Sequence, residues 1–203
     1  EPDLWKQPDV SYRHFLHLQH YISQLDNMFI KKGFKLVIKV GEALSVLKSL
    51  AIRHNVEAIF SHYETWNKFS KDRDLAIRKW TKENSIRWIE YQQNGVVKNL
   101  NSRNGWSTLW HAHMRKKIYE VPEKIFCVSE GSDNLPTCQD MRLEFDGFEQ
   151  NSSLAKIEPG IVLKSFLSER GENYQREMSG PLLSADSCSR LSTHIAFGTI
   201  SIR

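Results

Sequence analysis

The residue types best suited to chemistry lie in CSRLSTHIAFG, residues 188–198. Cys188, Ser189, Ser192 and Thr193 put a thiol and three hydroxyls around Arg190, just ahead of an apolar stretch that reads as a helix. Amides at a helix start have no partner within the helix. With flanking hydroxyls and a guanidinium they form a site for phosphate oxygens. The same residues also suit simple capping, with Ser192 as the N-cap. The pattern predicts burial for Leu191, Ile195 and Phe197, while Ser189, Arg190, Ser192 and His194 stay polar.

Three further groupings carry possible chemistry. SHYETW, residues 61–66, precedes Lys71, Asp72, Arg73 and Asp74. Glu64 and the nearby aromatics suit a heterocyclic ligand. Alternatively Arg73 and Asp74 only charge a helix start. Residues 94–106 form a polar, glycine-containing loop with Asn94, Gly95, Asn101, Ser102, Arg103 and Trp106, and Arg115, Lys116 and Lys117 follow. That suits a phosphate backbone with stacked bases, or ordinary turn chemistry. His14, His17 and His20 recur at steps of three, but no acid or cysteine beside them completes a metal set, so they read as a polar stripe. His111 and His113 lie about 200° apart on a helix and cannot chelate together.

The elements that must position these groups follow from periodicity. Apolar residues recur at helical spacing over 11–32, with Asp9 or Ser11 able to cap the start and Gly33 to end it. Residues 34–40 (FKLVIKV), 56–60 (VEAIF) and 86–91 (IRWIEY) read as strands. Residues 42–54, 71–84 and 106–118 read as helices, as do 160–175 and 188–203. Strands joined through helices pair in parallel, because each helix crosses back over the sheet. The predicted fold is therefore α/β, a doubly wound, mostly parallel Rossmann-like sheet with helices on both faces. Its ligands would sit beyond the strands' carboxyl ends, near 40–41, 61–66 and 92–95. There is no GxGxxG, so nothing supports a nicotinamide site. A linker over 126–159 separates a domain at 1–125 from the start of an all-helical domain at 160–203.

The net charge of +4 hides a division: +8 over residues 1–126, −5 over 127–160 and +1 over 161–203. A basic body is compatible with a polyanion partner. Cys127, Cys138 and Cys188 form no CxxC pair, which excludes a disulfide scaffold and points to a reducing compartment, hence the cytoplasm. No apolar run approaches the roughly 20 residues of a membrane span. The sequence opens on Glu1 and reads as an excerpt of a longer protein.

Taken in order, these pieces resemble the DNA photolyase/cryptochrome family. Residues 11–15 (SYRHF) resemble the start of its first long helix, and 41–43 (GEA) the segment after its third strand. Glu64 with residues 71–74 (KDRD) resembles an acidic loop followed by an Arg-Asp pair. Residues 93–97 (QNGVV) with Arg103, Gly105 and Trp106 are closest to a bacterial branch. Phe166, Leu167, Arg170 and Tyr174 resemble the helix entering the flavin domain, and 188–198 the loop that grips the flavin dinucleotide's phosphates.

The resemblance implies an antenna domain, a linker and the first helices of a flavin domain. It implies FAD as cofactor, contacted by Tyr174, with Ser189, Arg190, Leu191 and Ser192 along its phosphates. It also implies an antenna pigment, a folate or deazaflavin, near Glu64 and Arg73. Position 188 is more often threonine in the family and position 193 more often proline; Cys188 and Thr193 weaken that loop somewhat. The implied activity of the intact protein is that of a DNA photolyase, with damaged DNA as partner and a reduced flavin as electron donor to the lesion. A cryptochrome-type light receptor shares the same residues, and an unrelated nucleotide-binding α/β module is a third reading. No catalytic residue is assigned, no metal is implied, and the oligomeric state is open.

Overall fold

A computed structural model describes residues 1–98, 100–147 and 157–203. The 3₁₀ turn Leu4–Lys6 leads into α1 (Tyr12–Ile30), α2 (Ala43–His54), β1 (Ala58–His62), α3 (Lys68–Glu83), β2 (Arg87–Tyr91) and α4 (Trp106–Met114). After residue 157 come α5 (Pro159–Ser165), a π-helical turn (Phe166–Arg170), and the short helices α6 (Tyr174–Glu177), α7 (Ser184–Ser187) and α8 (Ser192–Ala196).

Local chemistry explains most of these bounds. Gly33 has φ +84, its amide donates to Ile30 O at 3.0 Å, and the Phe34 amide reaches Phe29 O at 3.2 Å. The Phe29 and Phe34 rings, 4.5 Å apart, close this C-terminal motif. The Glu42 carboxylate caps α2 by accepting from the amides of Leu44 and Ser45 at 3.0 and 2.7 Å. Asn67 caps α3, its Oδ1 accepting from Ser70 N at 3.0 Å. Neither expected cap of α1 acts as one. Ser11 sits at the N-cap but its side chain makes no bond to the helix, and Asp9 accepts from Asn67 Nδ2 at 3.1 Å, tying the chain's start to α3.

The parallel pairing holds. β1 and β2 run in register from Ala58 opposite Arg87 to His62 opposite Tyr91, with α3 as the crossover. The doubly wound sheet does not: among the described residues the sheet has two strands and helices dominate. The expected first strand, 34–40, stays outside it. The alternate amides of Leu36, Ile38 and Val40 instead donate to Asp26 Oδ1, Ser132 Oγ and Asp133 Oδ2 at 2.9, 3.0 and 2.7 Å. Asp133 N returns a bond to Ile38 O at 2.8 Å. Side chains thus hold the donors a neighbouring strand would need. β1 starts two residues later than predicted because the Val56 amide is spent on Ala51 O beyond left-handed Asn55. β2 likewise starts at Arg87, since Ile86 N donates to Thr81 O at 2.9 Å.

The stretch read as a linker folds onto the body as far as it is described; residues 148–156 lie outside the described ones. Cys138 and Met141 join Trp5 and Phe15 in the main buried cluster, lined by Tyr12, Leu16 and Leu143. Glu130, with only 7% of its side chain exposed, takes Lys39 at 2.6 Å, His54 at 2.6 Å and Arg53 at 3.2 Å. Hydrogen bonds from His54 and Lys39 outweigh burial and, with the charge of Arg53, hold its carboxyl at about 2.

Candidate functional site

Two places gather the residues singled out by sequence. The first is the carboxyl end of the two strands, where ligands of parallel sheets bind. Tyr63 N continues the ladder to Tyr91 O at 3.1 Å, and the Tyr63 hydroxyl donates to Val96 O. Lys98 lies 4.4 Å over the Tyr63 ring and 3.4 Å from Glu90, which also pairs with Arg78. Burial, then the Glu90 charge, pushes the Tyr63 phenol above its ordinary value.

Gly95 lies flat on Trp110. A Cβ there would meet Trp110 Cδ1 at 2.6 Å, so only glycine admits this approach. Trp106 Nε1 donates to Gly95 O at 2.9 Å. Beside it Leu100, Asn101, Ser102, Arg103 and Trp106 line an open hollow of about 360 Å³. Glu64 and Arg73 are engaged separately. Glu64 accepts from Thr65 N at 2.8 Å, while Arg73 grips Glu1 at 2.6 Å and Asp74 at 2.9 Å. Arg73 thus joins the chain's start to α3.

The second place is the turn at 188–192. Arg190 adopts φ +60, a left-handed conformation costing a non-glycine residue about 1 kcal/mol, and such outliers concentrate at functional sites. Arg190 and Ser192 are exposed, Ser189 is half-buried and Leu191 is buried. The turn's shape comes from a residue outside it. The Arg170 guanidinium, at the end of the π-helical turn, donates to Cys188 O at 2.5 Å and Ser189 O at 3.2 Å. Tyr174, about one-third exposed, packs edge-on against Phe166 at 5.8 Å and opens α6, which packs on α7 just before the turn.

Several expectations for this segment need correction. The helix predicted over 188–203 shortens to Ser192–Ala196, and the residue at its N-cap is Leu191 rather than Ser192. His194, read as polar, is fully buried: its Nδ1 lies 3.0 Å from Thr199 Oγ1 and 3.4 Å from the Tyr21 hydroxyl of α1. Phe197, 5.2 Å from Tyr21 and 6.1 Å from His17, is covered by α1, whereas Ile195 is exposed. His17 and His20 surround Tyr21, and no metal-binding group occurs among the described residues. Sequence reasoning missed Arg170 as the organiser of the turn, because its partners lie 18 and 19 residues away with no local signature.

A family model described as DNA photolyase matches residues 2–105, just over half of the chain. The chain belongs to the DNA photolyase family. No curated protein matches it. The matched region of this photolyase-family chain covers α1 to β2 and Gly95, and so includes the sheet's carboxyl edge, and it ends one residue before Trp106. The turn at 188–192 lies beyond the match. Among the described residues no helix is long and apolar enough to cross a membrane.

Proposed function

We propose that this chain is part of a flavoprotein whose turn at 188–192 takes the phosphates of FAD and whose activity is light-driven repair of pyrimidine dimers in DNA. The observation that carries the reading is that turn, with exposed Arg190 in a left-handed conformation, in a chain of the DNA photolyase family. Its donor set fits an anion: the Arg190 guanidinium, unpaired among the described residues, the Ser189 and Ser192 hydroxyls, and a backbone whose carbonyls are drawn to the opposite side by Arg170. Tyr174 would meet the dinucleotide from the next helix. The reduced flavin supplies an electron to a lesion flipped out of the duplex. The chain's own part is to bind and orient the charged middle of the cofactor. We further divide the protein into an α/β domain at 1–125, a connecting stretch at 126–159 and the start of a helical flavin domain at 160–203.

At the sheet's carboxyl edge the aromatic wall of Trp106 and Trp110, with Arg103 at the open hollow, suits the heterocycle of an antenna pigment, a folate or deazaflavin. Glu64 is better placed to serve there than Arg73, whose guanidinium is already paired. The test is repair of a defined cyclobutane dimer by the intact protein, in blue light and in darkness. Dimer loss in light alone supports the reading. Flavin bound with no repair under either condition replaces it with a cryptochrome-type receptor, and protein that purifies colourless and binds a simple nucleotide points to neither.

A further inference from the structure

We infer that Arg170 is the positioning residue of the 188–192 turn, aiming its amides at the ligand's phosphates; this rests on the flavin reading above. An arginine side chain has five N–H donors in a fixed planar fork. In Arg170 all five have acceptors. Nε donates to Ser165 Oγ at 3.0 Å, Nη1 to Cys188 O at 2.5 Å and Asp186 O at 3.4 Å, and Nη2 to Val162 O at 3.1 Å and Ser189 O at 3.2 Å. Four of these are backbone carbonyls drawn from three separate pieces of chain: the end of α5, the end of α7 and the turn itself.

The consequence for the turn follows from peptide geometry. Among the described residues no peptide bond is cis, so in this turn each C=O and the following N–H point in opposite directions. With Cys188 O and Ser189 O both facing the guanidinium, the amides of Ser189 and Arg190 face away from it, side by side. Two neighbouring amides aimed the same way form a concave anion site. Left-handed Arg190 keeps the chain curved there and carries its own guanidinium to the exposed side. Among the described residues no carboxylate pairs with Arg170, so its positive charge sits uncompensated behind the turn and draws an anion to the front.

Lysine at 170 would keep the charge but lose the fork, so one ammonium could not hold both carbonyls of the turn. The experiment measures the affinities of the intact protein for FAD and for riboflavin, which lacks the phosphates, in wild type and Arg170→Lys. The role predicts FAD affinity reduced about tenfold, with riboflavin affinity unchanged. Equal loss for both ligands shows a general packing role and overturns the inference, as does unchanged FAD affinity. Wild-type protein with no affinity for FAD overturns the proposed function and this role with it, so the two failures are distinct. Should Arg170→Lys fail to fold, Ser165→Ala removes the Nε acceptor and that hydroxyl's own bond to Val162 O, and leaves the guanidinium's four carbonyl acceptors in place. It should weaken FAD about threefold and leave riboflavin alone; no selective change overturns the role.

Discussion

The α/β body and the C-terminal turns are held together by different means. In the body, every helix from α1 to α3 begins or ends on a residue within six positions of the groups it satisfies: Gly33, Glu42, Asn55 and Asn67. Beyond α5, which Glu158 caps, the short helices α6, α7 and α8 have no side-chain caps. There the order comes from polar hubs with more distant partners, half-buried Arg170 behind the turn and buried His194 against Tyr21, 173 residues away. A region built on local signals tolerates loss of one signal, whereas a region built on two hubs should not tolerate loss of either.

The sharpest way to break that contrast is His194→Ala. Emptying a fully buried site and removing the imidazole that bonds the Thr199 and Tyr21 hydroxyls should cost about 3 kcal/mol in urea denaturation. His111→Ala, at an exposed position, should stay within about 0.5 kcal/mol. Equal effects would erase the distinction. Next in size, Gly95→Ala forces Trp110 aside and should cost about 2 kcal/mol, with a changed tryptophan emission spectrum. An unshifted spectrum would show that Gly95 does not seat on that ring.

Asn67→Ala removes the α3 cap together with the tie to Asp9 and should cost about 1 kcal/mol. A loss as large as that of His194→Ala would refute the claim that the body rests on dispersed signals. The Glu130 clasp adds a pH dependence. Its carboxyl is held at about 2, below its ordinary 4.5, so its contribution is complete above the ordinary value and fades as pH falls toward 2. The stability gap between wild type and Glu130→Gln should therefore be constant at neutral pH and close progressively below about pH 4.5. A gap that persists at pH 2 would show that the Lys39, Arg53 and His54 contacts do not depend on the charge.

The same contrast explains what could be read from sequence. α1 to α4, both strands of the sheet and their parallel pairing were legible, because periodicity and caps act within a few residues. The failed strand at 34–40 has strand composition, yet its amides are captured by Asp26, Ser132 and Asp133, the last two more than 90 residues away. No local pattern announces that competition. At the turn, residues 188–192 stood out by type and spacing, and Arg190 and Ser192 are exposed as an anion site requires. Arg170 and His194 were opaque, since an arginine on a helix and a histidine after a hydroxyl pair look like surface residues until their distant carbonyl and phenol partners are in place.

The central claim is that the 188–192 turn receives the phosphates of the flavin dinucleotide. FAD titration of the intact protein against its Arg190→Glu variant tests it most directly. Reversing the one exposed charge in the turn should weaken FAD binding on the order of a hundredfold while the fold, read by circular dichroism, is retained. FAD bound equally tightly by both proteins would contradict the account.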